Sequence, residues 1–114
     1  MLCDTNGGSL PAEVEEIARG AREKAGDTEI GIHTHNDAGM GVANSIVAVE
    51  LGAVQVQGTI NGYGERCGNA NLCSVIPNLE LKLNKQSLGP DKLKKLMELS
   101  RFVSEVANVS HDHR

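Results

Sequence analysis

The sequence predicts an α/β fold of parallel strands joined by crossover helices, forming one piece of a larger sheet. Three observations lead there. Short strand-like runs alternate with segments of helical periodicity, and turn-rich loops follow the candidate strands. Strand–helix repetition of that kind builds parallel sheets. The 114 residues hold only about two and a half strands, whereas a parallel sheet is covered on both faces and normally has more.

Met1-Leu2-Cys3 reads as the last residues of a strand, and Asp4 to Ser9 as a turn-rich loop. Ser9 is placed to cap a helix from Pro11 to Ala25, with proline in the first turn. Val14, Ile17, Ala18 and Ala21 recur there at helical spacing, and Glu13, Glu15, Glu16, Arg22 and Lys24 cover the other face. Gly26-Asp27 ends the helix. Glu29 to His35 is a strand, residues 36–41 a loop, and Val42 to Leu51 a helix stopped by Gly52. Val54 to Thr59 is a strand, and Ile60 to Gly68 a glycine-rich loop. A helix follows from Asn69 to about Leu83, weakened or kinked by Pro77, then another from Pro90 to Val106.

The net charge of −4 and the pI near 5.5 argue against a nucleic-acid binder, which needs a basic face. No apolar run approaches the roughly 18 residues that span a bilayer, and the first residues carry no signal-peptide pattern. The expectation is a cytoplasmic protein. Cys3, Cys67 and Cys73 are an odd count without CxxC spacing, so they are expected to be reduced thiols in or near the core.

Chemistry is expected where residues 31–37 read Gly-Ile-His-Thr-His-Asn-Asp. Alternation puts Gly31, His33 and His35 on one strand face and Ile30 and Ile32 on the other. The isoleucines suit packing against helices. The imidazoles then project at the C-terminal end of the strand, where parallel α/β proteins carry their sites. Two histidines at i and i+2 can bind one cation. In the next strand Gln55, Gln57 and Thr59 share the equivalent face. The loop after it, Asn61-Gly62-Tyr63-Gly64-Glu65-Arg66-Cys67-Gly68-Asn69, should lie beside the histidines. Asn69 or Glu65 is placed to add an oxygen ligand. The plainer readings are a helix N-cap for Asn69 and a local ion pair for Glu65-Arg66. The loop fits neither a dinucleotide fingerprint nor a P-loop. His111 and His113, in a charged tail, read as solvated.

His33-Thr34-His35-Asn36-Asp37 followed by Asn61 through Leu72 resembles the isopropylmalate, homocitrate and citramalate synthase family. These are metal-dependent acyltransferases built on a TIM (β/α)8 barrel. The forms Asp4-Thr5-Asn6-Gly7-Gly8 and Gly58-Thr59-Ile60-Asn61-Gly62-Tyr63 are most similar to citramalate synthases. The resemblance covers about residues 1–85 and is carried by two specific motifs. It implies strands 6–8 of the barrel in residues 1–85 and a helical connection to a C-terminal subdomain in residues 86–114.

The resemblance further implies His33 and His35 as metal ligands, Asn69 as a weaker oxygen ligand, and Thr5 as a contact to the keto-acid carboxylate. It places no catalytic base in this segment; Glu65 is the one carboxylate in the loop to test for that role. The implied cofactor is a divalent cation (Mn²⁺, Mg²⁺, Zn²⁺ or Co²⁺), with acetyl-CoA as co-substrate. The implied reaction is a Claisen condensation with a 2-oxo acid, pyruvate to citramalate, in isoleucine or leucine biosynthesis, by a full-length homodimer. The segment alone is expected to be inactive. Competing readings are a 2-isopropylmalate or homocitrate synthase, a hydroxymethylglutaryl-CoA lyase-type aldolase, and a non-catalytic metal-binding module. The lyases carry a catalytic cysteine early in the glycine loop. This chain has Ile60 or Asn61 there, and Cys67 does not match that position.

Overall fold

The computed structural model describes residues 1–110; His111 and His113 lie outside the described residues. Strands β1 (Leu2–Asp4), β2 (Gly31–Thr34) and β3 (Gln55–Gln57) form a parallel sheet in sequence order. Helix α1 (Pro11–Ala25) joins the first two strands, and α2 (Gly41–Glu50) joins the second to the third. A 3₁₀ turn (Ile60–Gly62) and helices α3 (Leu72–Leu81), α4 (Pro90–Leu93) and α5 (Leu96–Val106) follow.

The register sorts the sheet into two faces. Leu2, Ile32 and Val56 form one row across the strands, and Cys3, His33 and Gln57 the next. The first row meets the helices: Val14, Ile30, Ile32, Ala48 and Ala53 make a buried cluster, with Leu2, Val47 and Val56 packed on it. A second cluster of Ala70, Val75 and Leu79 lies under α2 and α3, sharing Val56. The other face of the sheet is open, with Cys3, Gln55 and Gln57 exposed.

Thr34 faces the helices and is fully buried. Its hydroxyl donates to the Gly41 carbonyl at 2.8 Å and lies 3.0 Å from Ser45 Oγ. This bond pins the end of β2 to the first turn of α2, so the two histidines flanking Thr34 are held at a fixed height.

Several local expectations need correction. Helix α1 is preceded by Leu10, not capped by Ser9. Glu13 does the capping, because its carboxylate accepts from the Leu10 N–H at 2.7 Å. Ile17 is exposed, since the buried stripe of α1 runs through Val14 and Ala18. Helix α3 starts at Leu72, and its cap is Asn71, whose Oδ1 accepts from the Cys73 N–H at 2.9 Å. Asn69 is therefore free of capping duty. The final helix is two helices, divided at Lys94 and Lys95. Cys3 and Cys67 are exposed, one on the open sheet face and one in the loop, so only Cys73 is partly buried.

Candidate functional site

Each strand feeds a loop at its C-terminal end, and the three loops are tied together. After β3 the chain runs out through residues 58–67 and returns between the ends of β2 and β3. Ala70 N–H donates to Thr34 O at 3.0 Å, Asn36 N–H to Gly68 O at 2.9 Å, and Thr59 N–H to Ala70 O at 3.1 Å. The returning residues make two isolated bridges, His35 with Asn69 and Thr59 with Asn71. Backbone pairing therefore sets Asn69 beside His35, as the sequence suggested.

His33 and His35 share one face, and their Nε2 atoms lie 3.3 Å apart with the rings edge-to-face. Two neutral imidazole nitrogens that close are satisfied if one donates to the other or if one cation takes both lone pairs. Nitrogens about 2.0–2.1 Å from a common ion stand about 3.3 Å apart at a near-tetrahedral angle. His35 is 7% exposed and Asn69 9%. The Asn69 amide donates from Nδ2 to the Tyr63 carbonyl at 3.2 Å, which fixes its orientation. Its Oδ1 is left buried with no hydrogen-bond partner, and so is Nδ1 of each histidine. A donor set of two imidazoles and a free amide oxygen fits a divalent cation. Among the described residues no third His, Cys, Asp or Glu joins the pair. These three side chains would furnish only part of a coordination shell.

Gly64 makes the Asn69 geometry possible. A Cβ on Gly64 would overlap Asn69 Nδ2, so any larger residue would push the amide away from Tyr63 O.

Arg66 ties the loops from the solvent side. Its guanidinium donates to both Asp37 carboxylate oxygens at 2.9 and 3.1 Å, to the Thr5 carbonyl at 2.7 Å and to Glu65 at 2.9 Å. One side chain thus bridges the loops after β1, β2 and β3. The Arg66 hydrogen bond is also the main reason why the Asp37 carboxyl titrates below its ordinary range. Gly7, at φ +64°, lets the first loop lie directly against Asp37. The Ala38 N–H donates to Gly7 O at 2.8 Å.

Of the residues singled out in the sequence, His33, His35 and Asn69 come together. Thr5 is exposed at the end of β1, where its carbonyl is part of the Arg66 bridge. Glu65 is exposed and engaged by Arg66, as the plainer reading expected. The Asp37–Arg66 bridge was not anticipated. An aspartate and an arginine 29 positions apart give no periodic signal.

Parallel strands with a histidine pair and polar loops at their C-terminal ends match a segment of a TIM-type (β/α) barrel, a fold that carries its sites at that end. The chain belongs to the HMGL-like family, whose model matches residues 1–103. It is 60% identical over 110 residues to the (R)-citramalate synthase of Geobacter sulfurreducens, covering 96% of this chain and 21% of that protein. It is 38% identical over 110 residues to the 2-isopropylmalate synthase of Cronobacter sakazakii, covering 93% of this chain and 21% of that one. Among solved structures, an HMG-CoA lyase of Bacillus subtilis matches with a TM-score of 0.83 at 25% identity, over 99% of this chain and 39% of that chain. The chain therefore spans about a fifth of the length of the synthases it matches. Among the described residues no helix is long and apolar enough to cross a membrane.

Proposed function

We propose that this chain is the strand 6–8 segment of a metal-dependent acyltransferase that condenses acetyl-CoA with a 2-oxo acid, pyruvate to citramalate. The observation that carries the metal reading is the approach of His33 Nε2 to within 3.3 Å of His35 Nε2, with His35 bridged through its backbone to Asn69, whose Oδ1 is buried and unpartnered. The higher identity to a citramalate synthase than to a 2-isopropylmalate synthase supports pyruvate as the acceptor.

His33, His35 and Asn69 would hold the cation, Mn²⁺, Mg²⁺, Zn²⁺ or Co²⁺. When bound, the cation supplies Lewis-acid polarisation of the acceptor ketone. The chain's own part is placement. The Thr34 anchor fixes the height of both imidazoles, and the Tyr63 carbonyl turns the Asn69 oxygen away from its own nitrogen's partner. Thr5 is positioned to receive the 2-oxo acid carboxylate, and Arg66 holds the Thr5 backbone in place. Glu65, paired with Arg66 and exposed, serves better as a brace than as a base. The general base and an acidic metal ligand come from other parts of the full-length polypeptide, so the segment alone is inactive. Residues 86–114 begin the connection to a C-terminal subdomain, and the full-length protein is a cytoplasmic homodimer of isoleucine biosynthesis.

The test is thiol release from acetyl-CoA by the metal-stripped full-length polypeptide, reloaded with each cation and offered pyruvate, 2-oxoisovalerate or 2-oxoglutarate. Metal-dependent release with pyruvate, lost in His33→Ala, is expected. Preference for 2-oxoisovalerate would move the reading to an isopropylmalate synthase. Cleavage of a hydroxy-acyl-CoA would move it to a lyase. Tight metal binding without any turnover would leave a binding module.

A further inference from the structure

Helix α5 turns an unusual face to the rest of the chain. Its side-chain contacts to the loop after β3 are polar, with Ser100 8% and Ser104 2% exposed, while Met97, Leu99, Phe102 and Val106 on its other faces are solvent-exposed. Two loop residues meet those serines. Asn61 donates from Nδ2 to Ser100 O at 2.9 Å and to Ser104 Oγ at 3.0 Å. Its Oδ1 accepts from Ser100 Oγ at 2.5 Å and Cys73 Sγ at 3.6 Å. That uses the whole hydrogen-bonding capacity of the amide. It does so at φ +62°, in the left-handed region that asparagine adopts more readily than other non-glycine residues. Tyr63 Oη lies 3.0 Å from the same Ser104 Oγ.

Asn61 and Tyr63 flank Gly62, and this trio receives Asn69 at both ends. The Asn69 backbone N–H donates to Gly62 O at 3.0 Å, and its side chain donates to Tyr63 O. The Tyr63 carbonyl is steadied in turn by the Thr59 hydroxyl at 2.6 Å. Both carbonyls that hold Asn69 therefore sit on a stretch whose side chains are bonded to α5.

We propose that α5 is a latch on this loop, and that Asn61 and Tyr63 are positioning residues for the Asn69 amide. The proposal rests on reading Asn69 as a metal ligand. Hydrogen bonds to two serines hold the latch, so a change at α5 reaches the site through few contacts. Loosening it lets the Gly62 and Tyr63 carbonyls shift, and the Asn69 oxygen with them.

The test uses the metal-stripped full-length polypeptide, with Mn²⁺ as the probe. Tyr63→Phe deletes one oxygen, and Asn61→Gly removes the latch side chain at a φ that glycine tolerates. Both are expected to keep the fold and to speed hydrogen exchange across residues 96–106. Both should also raise the Mn²⁺ dissociation constant by about 3- to 10-fold, just below the effect of losing a direct outer-shell partner. The loss should appear in Mn²⁺ half-saturation of thiol release and not in kcat at saturating Mn²⁺, a split that a purely structural role would not produce. If exchange across α5 quickens while Mn²⁺ affinity stays at the parent value, the latch is overturned and the metal reading stands. If His33→Ala also leaves Mn²⁺ affinity unchanged, the metal reading falls and takes the latch with it.

Discussion

Two polar clusters draw on the loop after β3, one toward α5 and one toward the end of β2, and they are satisfied to different degrees. In the group of Asn61, Tyr63, Ser100 and Ser104, the Asn61 amide makes every bond it can, and Ser104 Oγ alone meets Asn61, Tyr63 and Ser100 O. In the group of His33, His35 and Asn69, three buried polar atoms find no partner. A buried polar group without a partner costs about 1–3 kcal/mol, whereas a typical intramolecular hydrogen bond contributes only about 1 kcal/mol. The first cluster is what a fold keeps for its own stability. In the second, a cation held between the two Nε2 atoms would take up the Asn69 oxygen and leave the two Nδ1 atoms as they are, so that oxygen is the orphan on which the proposed metal reading turns.

The largest test of that contrast is His33→Leu in the full-length polypeptide. Leucine removes the unpartnered His33 Nδ1 but also leaves the buried His35 Nε2 without its neighbour, so the two effects oppose and the metal-free melting temperature should change little. Mn²⁺ affinity should fall by at least on the order of 100-fold, because a direct ligand counts for more than an outer-shell partner. A lower melting temperature with intact Mn²⁺ affinity would reverse the comparison and make His33 a structural residue.

The next effect is smaller and separates position from presence. Gly64→Ala leaves all three candidate ligands in place but puts a methyl group where Asn69 Nδ2 lies. Mn²⁺ affinity should drop by about 10-fold, as for a disturbed outer shell. Gly20→Ala is the matched control. It lies within α1 with nothing near its Cβ position, so it should stabilise the fold by about 0.5–1 kcal/mol and leave Mn²⁺ binding alone. Equal behaviour of the two variants would show that Gly64 has no part in placing the amide.

What the sequence made legible follows the range of each interaction. Strand alternation has a fixed period, so the shared face of Gly31, His33 and His35 and the burial of Ile30 and Ile32 could be read directly. Parallel order and the placing of the glycine loop next to the histidines followed from adjacency. The sequence offered the cap to Asn69, but the cap is Asn71, because the backbone path through Ala70 keeps residues 69 and 70 paired with β2 before the helix begins. The Arg66 bridge and the Asn61 latch join residues 29 to 61 positions apart and leave no periodic trace. In α5 the apolar residues invited burial. The buried positions Leu96, Ser100 and Ser104 do recur at helical spacing, but serine carries no hydropathy signal.

The smallest expected effect lies at a third polar group, far from the histidines, and checks the satisfied side of the contrast. Glu80 Oε1 accepts from the backbone N–H groups of Leu88, Gly89 and Ser87 and from the Ser87 hydroxyl, closing the turn between α3 and α4. The Leu88 N–H contributes most to holding its carboxyl below the ordinary value of 4.5. A depressed carboxyl stabilises the fold only while it is ionised. Its contribution is thus complete above the unfolded-state value and disappears as the pH falls through the lower folded-state value. Glu80→Gln should therefore melt slightly below the parent at neutral pH. The gap should narrow as the pH falls below the ordinary carboxylate value and close once the pH has passed the lower folded-state value, where the parent carboxyl is neutral as well. Mn²⁺ affinity at neutral pH should be the same in both. A melting difference that stays constant across this range would mean that Glu80 acts through packing, and the charge-assisted turn would have to be given up.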